Sequence, residues 1–443
     1  MLGVAPLKTL FSTEAPLVLP IDVGQMGLGV MLGVWALWRA LFRRGESLPR
    51  TRVYTPLAAC MLAFGPSLYH AESTSAWIGE FLKWVEMLLL VAVVLDLGRA
   101  GRWTWIVFGA VLAGVLQAII GLYEFRGGSG APHLWIANYR FFRAFGTFGQ
   151  PNPFSAFMGL TLPLALGMAW GYLTTAAAQW SRRYETESVR LWWEPGLLAV
   201  LYSGFALVLL AGLIAAWGRG AWLGFGAAGA VMVFFAPRRC WQGVVLMAGA
   251  ALLPVGLWAV GAVPITIQQR VSNAAVEFIG FRDVRGVPIS NENFAIIERL
   301  AHWQAAIEMA DAQPWIGVGL GNYEAVYADY GVPSWPRPLG HAHNDYLNLL
   351  AETGLLGLSV YLFSWAALVW WTVQSLRQTD LVKRGLVLGL SGTWAHLAVH
   401  SFVDKLYVNN LFLHLGVMLG LLAIVYESRE HLVGNTSSEH DDL

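Results

Sequence analysis

PGLLAVLYSGFALVLLAGLIAAW, residues 195–217, contains no charged side chain. As a helix it is long enough to cross the ~30 Å hydrocarbon core of a bilayer. Apolar blocks of the same kind recur near 17–42, 53–70, 76–97, 103–125, 154–175, 220–236, 241–263, 346–372, 385–401 and 407–427. Over the whole chain 56% of residues are hydrophobic and 13% are charged, about half the charge fraction of a soluble domain. The expected fold is therefore an all-α polytopic membrane protein with about 11–12 transmembrane helices. Residues 1–16 fit either a short re-entrant element or part of a further span.

The block at 195–217 runs directly into Gly218-Arg219-Gly220, and basic residues orient the rest. Arg39, Arg43, Arg44, Arg50 and Arg52 share one connection. Arg99 with Arg102, Arg182 with Arg183 and Arg190, Arg238 with Arg239, and Arg377 with Lys383 and Arg384 occupy others. These connections alternate along the chain and are mostly short, which marks their side as cytoplasmic. The opposite side carries the 126–153 loop, the Gly218–Gly220 turn, a turn with His400, Asp404 and Lys405, and one large loop at 264–345. The chain then divides into N-terminal transmembrane helices (1–263), the outer-loop subdomain (264–345), C-terminal transmembrane helices (346–428) and a polar, disordered cytoplasmic tail (429–443). Phe294, Ile297, Leu300, Ala301 and Ile307 follow a 3.6-residue period, so the loop holds a surface helix, which Pro314 should end.

Formal net charge is zero, which argues against a nucleic-acid partner. Cys60 and Cys240 provide neither a disulfide framework nor a zinc ligand set. Unusual polar residues cluster on the non-cytoplasmic side, out of reach of cytosolic ATP and NAD. Energy for any chemistry there must arrive within the substrate, and no cofactor is expected.

The run Gly340-His341-Ala342-His343-Asn344-Asp345-Tyr346-Leu347 ends the large loop. His343 is a candidate proton acceptor, since a free imidazole titrates near neutrality. Asn344 and Glu352 would fix its geometry. Alternatively, Asn344 or Asp345 caps the following span and Gly354 and Gly357 allow close packing. His341 and His343 suggest a metal pair, but no third ligand is obvious and none is assigned. Arg219 between two apolar blocks either snorkels to the interface or clamps an anion, with its flanking glycines leaving room for a phosphate. Arg299 in Glu298-Arg299-Leu300-Ala301-His302-Trp303 lies on or beside the apolar face of the loop helix. It either pairs with a carboxylate or makes a second phosphate contact. Phe145-Gly146-Thr147-Phe148-Gly149-Gln150-Pro151-Asn152-Pro153 forms a defined loop offering Gln150 and Asn152, with Arg140 and Arg143 adding positive charge. Gly317-Val318-Gly319-Leu320-Gly321-Asn322 lacks a βαβ context and is expected to be a flexible turn. His396 and His400 fit interhelical hydrogen bonds or, less simply, a haem or metal pair. Glu80, Lys83 and Glu86 fit an ion-paired helix face.

FGTFGQPN at 145–152, GRGAWLG at 218–224, ERLAHW at 298–303, PWIGVGLGNY at 314–323 and HNDYLNLLAETGLLG at 343–357 stand in this order. The ordered set resembles the O-antigen ligase and polymerase superfamily of bacterial membrane glycosyltransferases, and most of all an O-antigen ligase. The resemblance implies a GT-C-like helical fold with one large periplasmic loop in the inner membrane. It implies an undecaprenyl-diphosphate-linked glycan donor and an acceptor that is the lipid A core or another saccharide. It further implies inverting, metal-independent transfer. The superfamily's histidine falls on His343 as general base, and its arginines fall on Arg219 and Arg299 as diphosphate ligands. Gln150, Asn152, Trp303, Asn344, Glu352 and Lys405 are expected to support them. Polymerase and protein O-oligosaccharyltransferase activities stay open within the superfamily. Outside it, a lipid-linked glycan transporter would need no base, and a haem or quinone oxidoreductase would use His396 and His400.

Overall fold

A computed structural model describes residues 9–12, 20–98, 101–128, 134–136, 140–182, 193–263, 265, 268–269, 283–289 and 294–438. Much of the expected outer loop before 294 therefore lies outside the described residues, as does most of 1–16. The protein is an all-α polytopic membrane protein. Its helices are α1 (Val23–Phe42), α2 (Tyr54–Phe64), α3 (Thr74–Gly98), α4 (Trp103–Phe125), α5 (Pro151–Arg182), α6 (Trp193–Ala215), α7 (Arg219–Phe235), α8 (Cys240–Ala259), α9 (Phe294–Ala312), α10 (Tyr323–Tyr330), α11 (Asp345–Ser375), α12 (Leu381–His400) and α13 (Leu411–Ser438). Two antiparallel pairs, β1 (Thr9–Ser12) with β2 (Pro20–Asp22) and β3 (Trp135–Ile136) with β4 (Phe141–Phe142), are the strands among these residues.

Seven of the described helices are long and apolar enough to cross a bilayer: α1, α4, α5, α6, α8, α11 and α13. The other four apolar blocks also form helices, each with a physical reason for falling short. α2 stops at Phe64 and continues as a 3-10 turn over Gly65–His70. α3 carries Glu80, Lys83, Glu86 and Asp96, and α12 carries Lys383, Arg384, His396 and His400. α7 has 17 residues. The polar ones are sheltered by neighbours. α12 packs against α5 and α7, with Gly385 and Gly389 meeting Gly167 and Gly171 so closely that an added Cβ would strike backbone. Small residues let backbones approach where lipid offers no hydrophobic drive between helices. α13 continues beyond residue 428 as a helix to Ser438.

The two ends of the bundle differ. At one end Arg39 Nη1 pairs with Asp96 at 2.8 Å, and Arg384 donates to the carbonyls of Phe235, Ala236 and Pro237. The other end gathers the 140–150 loop, the turn before α7, α9, α10, the run before α11, and the α12–α13 turn. α9 forms where the 3.6-residue period places it and stops at Ala312, two residues short of Pro314. It buries Ile297, Leu300 and Ala301 with Val332 and Trp335.

The segment expected to be a flexible turn is tightly locked. Gly317, Gly319 and Gly321 all have positive φ, and a Cβ on any of them would collide with the backbone or side chain of Glu352, Ala71 or Glu80. Their partner is a kink in α11 at Gly354 (φ 63°), which lies against Trp315 and Ile316. Tyr323 and Tyr327 just downstream are fully buried and pack with Ala305, Ala306 and Met309 of α9.

Candidate active site

Arg219 is placed by a sharp reversal. α6 ends at Ala215, Trp217 turns left-handed (φ 57°), and α7 begins with Arg219 itself. Trp222 braces the reversal by donating from Nε1 to the Leu213 carbonyl at 3.1 Å. The flanking glycines both line the cavity that Arg219 faces, and each also meets a neighbouring side chain where a Cβ would stand. A Cβ on Gly218 would meet Ser155 Oγ at 2.9 Å, and one on Gly220 would meet Val403 and, at 2.9 Å, His400. They admit the protein's own side chains and so bring α7 against α5 and the α12–α13 turn.

The 140–150 loop supplies another arginine. Arg143 Nε donates to the Ala216 carbonyl at 3.0 Å, and Nη2 donates to Asn152 Oδ1 at 3.2 Å. Glu124 accepts from the backbone N–H of Phe145 and Gly146 at 2.9 and 2.7 Å, which fixes the loop from below. Gly146 and Gly149 take positive φ, and Pro151 opens α5.

His343 is held in a conformation unusual for a residue with a Cβ, at φ 51°. Its own N–H donates to His341 Nδ1 at 3.1 Å, and its carbonyl accepts from Trp303 Nε1 at 3.4 Å. Asn344 caps α11, its side chain accepting from Leu347 N at 3.0 Å. Strain of this kind persists only where the surroundings over-determine it, and it aims the ring. The buried Nδ1 of His343 lies 3.5 Å from Asp404 Oδ1, an ion-pair separation. Burial works against the Asp404 charge, but the imidazoles of His343, His341 and His400 outweigh it and hold the carboxyl below the usual carboxylate range. His341 is pushed down to about 3 by burial and then by His343, and His302 to about 4 for the same two reasons.

Arg143, Asn152, Ser155, Arg219, Glu298, Arg299, His343, His400 and Asp404 line one cavity of about 330 Å³. The first turns of α5 and α7 also face it, and helix N-termini carry partial positive charge. Three arginines and two helix ends outnumber the carboxylates of Glu298 and Asp404. The site can thus hold a multiply charged anion beside an imidazole able to take a proton.

Of the residues expected from the sequence, Asn152, Arg219, Arg299 and His343 reach this cavity. Gln150 does not; it is exposed at the surface before α5. Trp303 donates to the His343 carbonyl, and Asn344 caps α11; neither lines the cavity. Glu352 and Lys405 belong to a second buried cluster, where Lys405 Nζ lies 3.7 Å from Glu80 Oε1 and Glu80 also pairs with Lys83. Lys405 loses by burial but gains more from Glu80, Glu352 and Asp345, so its ammonium is held above the ordinary lysine range. That anchors the turn, because the Lys405 N–H also donates to Asp404 Oδ1 at 2.9 Å. Sequence reasoning missed Arg143 as a lining residue, and Ser155, Glu298, His400 and Asp404. The available signal was the short outer turn with His400, Asp404 and Lys405 facing the same side as His343.

The sequence offers no obvious third metal ligand beside His341 and His343, whereas the fold supplies one. Ligand atoms of His341, His343 and Asp404 lie within 4.8 Å of one another. His341 Nδ1 already accepts the His343 N–H, and three arginines share the cavity. His396 and His400 are bonded ring to ring, Nδ1 of His400 to Nε2 of His396 at 3.3 Å. Gly159 and Gly224 press on the His396 ring, leaving no face open to a porphyrin.

Residues 204–362 match the family model described as O-antigen ligase. The match supports the O-antigen ligase/polymerase superfamily for this segment. The ligase-family segment contains Arg219, Arg299 and His343, and ends just beyond the Gly354 kink. Arg143, Asn152, His400 and Asp404 come to its cavity from outside it. The family indicates O-antigen ligase/polymerase-type, glycosyltransferase-like activity on lipid-linked glycans in a membrane. No curated protein matches the chain.

Proposed function

We propose that the protein is an O-antigen ligase-type glycosyltransferase. It moves a glycan from undecaprenyl diphosphate to a hydroxyl of a lipid A core sugar, at the periplasmic face of the bacterial inner membrane. The observation that carries this is the shared cavity of His343 with Arg143, Arg219 and Arg299, at the end of the bundle away from the basic loops.

The donor arrives activated, since a glycosyl diphosphate has a good leaving group. The site must hold the diphosphate, receive charge as the C–O bond breaks, and take the acceptor's proton. A guanidinium suits the first two tasks, because its planar fork binds phosphate oxygens in pairs. Arg219 and Arg299 hold the diphosphate, with Arg143 beside them. His343 Nε2 takes the hydroxyl proton, an effect typically worth about 10²–10⁴ in rate. Asp404 faces Nδ1, keeps the proton there in the resting state, and stabilises the imidazolium that forms. Attack from the side opposite the diphosphate inverts the anomeric carbon. Charge from arginines and helix ends performs the electrostatic work, so no metal is required.

The purified protein, given a polyprenyl-diphosphate glycan with a lipid A core, a second repeat unit or a serine-containing peptide, should glycosylate the lipid A core. Transfer only to the repeat unit or only to the peptide would move the assignment to a polymerase or a protein glycosyltransferase. Loss of donor to none of them would overturn glycan transfer altogether.

A further inference from the structure

His396 and His400 are both buried, on successive turns of α12, and the general-base scheme uses neither. Their arrangement is directional. His400 Nδ1 meets His396 Nε2 at 3.3 Å, whereas the Cδ2–Nε2 edge of His400 turns to Gly220 at the cavity wall, within about one atomic contact of the Arg219 turn. His396 Nδ1 has no hydrogen-bond partner among the described residues. It is wedged between α5 and α7 at Gly159 and Gly224, where a Cβ on either would overlap its ring.

One proton placement fits these contacts best. A neutral imidazole has one N–H and one bare nitrogen. If His396 carried its proton on Nδ1, a donor would be buried without an acceptor, and orphaned buried donors are rarer than under-used acceptors. With the proton on Nε2, His396 donates to His400 Nδ1. His400 must then carry its own proton on Nε2, the edge facing the cavity.

We infer that His400 is a hydrogen-bond donor to the leaving diphosphate, and that His396 is a positioning residue that fixes its tautomer. The inference rests on the glycan-transfer reading of the same cavity. In the step itself, the anomeric C–O bond to phosphate breaks and its electron pair stays on the phosphate oxygen. The acceptor oxygen forms the new bond to the anomeric carbon and its proton goes to His343. His400 keeps its proton and shares it with the departing oxygen, alongside Arg219. Donors aimed at developing charge in a water-poor site are typically worth about 10²–10³ in rate.

Two amide replacements separate this role from an interhelical one. Glutamine can place an amide N–H near the Nε2 position of histidine, and asparagine near Nδ1. Turnover at saturating polyprenyl-diphosphate glycan and acceptor should fall by about 10-fold or less in His400→Gln, but by about 10² or more in His400→Asn. His396→Met, which keeps the volume and removes the tautomer constraint, should lower kcat about 10-fold and leave the donor KM within about 3-fold. Asparagine outperforming glutamine, equal rates in both, or an unchanged kcat in His396→Met would overturn the inference. His343→Ala is run in parallel. If His343→Ala is inactive while His400→Asn turns over normally, His400 alone loses its role. If wild-type protein consumes no donor, or His343→Ala matches it, the glycan-transfer reading fails instead.

Discussion

His343 Nδ1 and Asp404 Oδ1 lie 3.5 Å apart although 60 residues of chain separate them. The pairing joins the end of the outer loop to the turn between α12 and α13. In the proposed scheme a proton on Nδ1 faces this carboxylate, the arrangement by which a buried carboxylate orients histidine in other transfer sites.

Asp404→Asn keeps the side-chain size and removes the charge that stabilises the imidazolium. The expected result is a fall in kcat of about 10²–10⁴ with the donor KM within about 3-fold. Steady-state kinetics on purified variant and wild type check this. A kcat within 3-fold of wild type would mean that Asp404 only shapes the turn.

Arg219→Lys should be almost as damaging as Arg219→Ala. A lysine restores one positive charge but not a planar pair of donors. Loss of about 10²–10³ in turnover is expected for alanine, with lysine recovering less than about 10-fold of it. Full rescue by lysine would show that a point charge suffices and that the paired grip is absent.

Stability should fall as pH drops below neutrality. His341 and His302 are held neutral in the fold, down to about 3 and about 4, while an unfolded imidazole protonates near 6.5. Between those values the unfolded chain binds more protons, so stability rises with pH and is lost as pH falls from about 6.5 towards 4. Thermal melts in detergent at pH 7.5, 6, 5 and 4.5 should show that decline. His341→Gln should make it shallower; an unaltered slope would contradict a buried neutral imidazole at 341.

EDTA should leave turnover unchanged. The His341, His343 and Asp404 group has metal-ligand spacing, so this test has a real alternative. If a chelator abolished activity and a divalent cation restored it, those three residues would be the first place to look for the ion. His343 could then no longer serve as the base through the same nitrogen.

Much of the bundle was legible because apolar blocks of about 20 residues admit few structures in lipid. The polar helices were harder to judge. α3 and α12 hide Glu80, Lys83, His396 and His400 by packing against other helices, and a sequence does not reveal which neighbour shelters a charge. Arg299 could be picked out because it falls on or beside the apolar face of the loop helix, and Asn152, Arg219 and His343 because each sits where an apolar block meets a polar loop. Gln150 shares that position, yet its side chain points outward, because entry into α5 fixes the directions of adjacent residues. Asp404 escaped notice as a partner of His343 because the contact depends on how α12 returns beside α11. The glycines in 317–321 escape a sequence reading for one reason. A missing Cβ looks like open space or freedom in sequence, whereas here other atoms of the protein fill it.

The most direct test is transfer by His343→Ala with a polyprenyl-diphosphate glycan and its acceptor, measured beside donor binding. The account predicts that transfer falls to background while the donor still binds within about 3-fold of wild type, since the arginines remain in place. Transfer at the wild-type rate in that variant would contradict it.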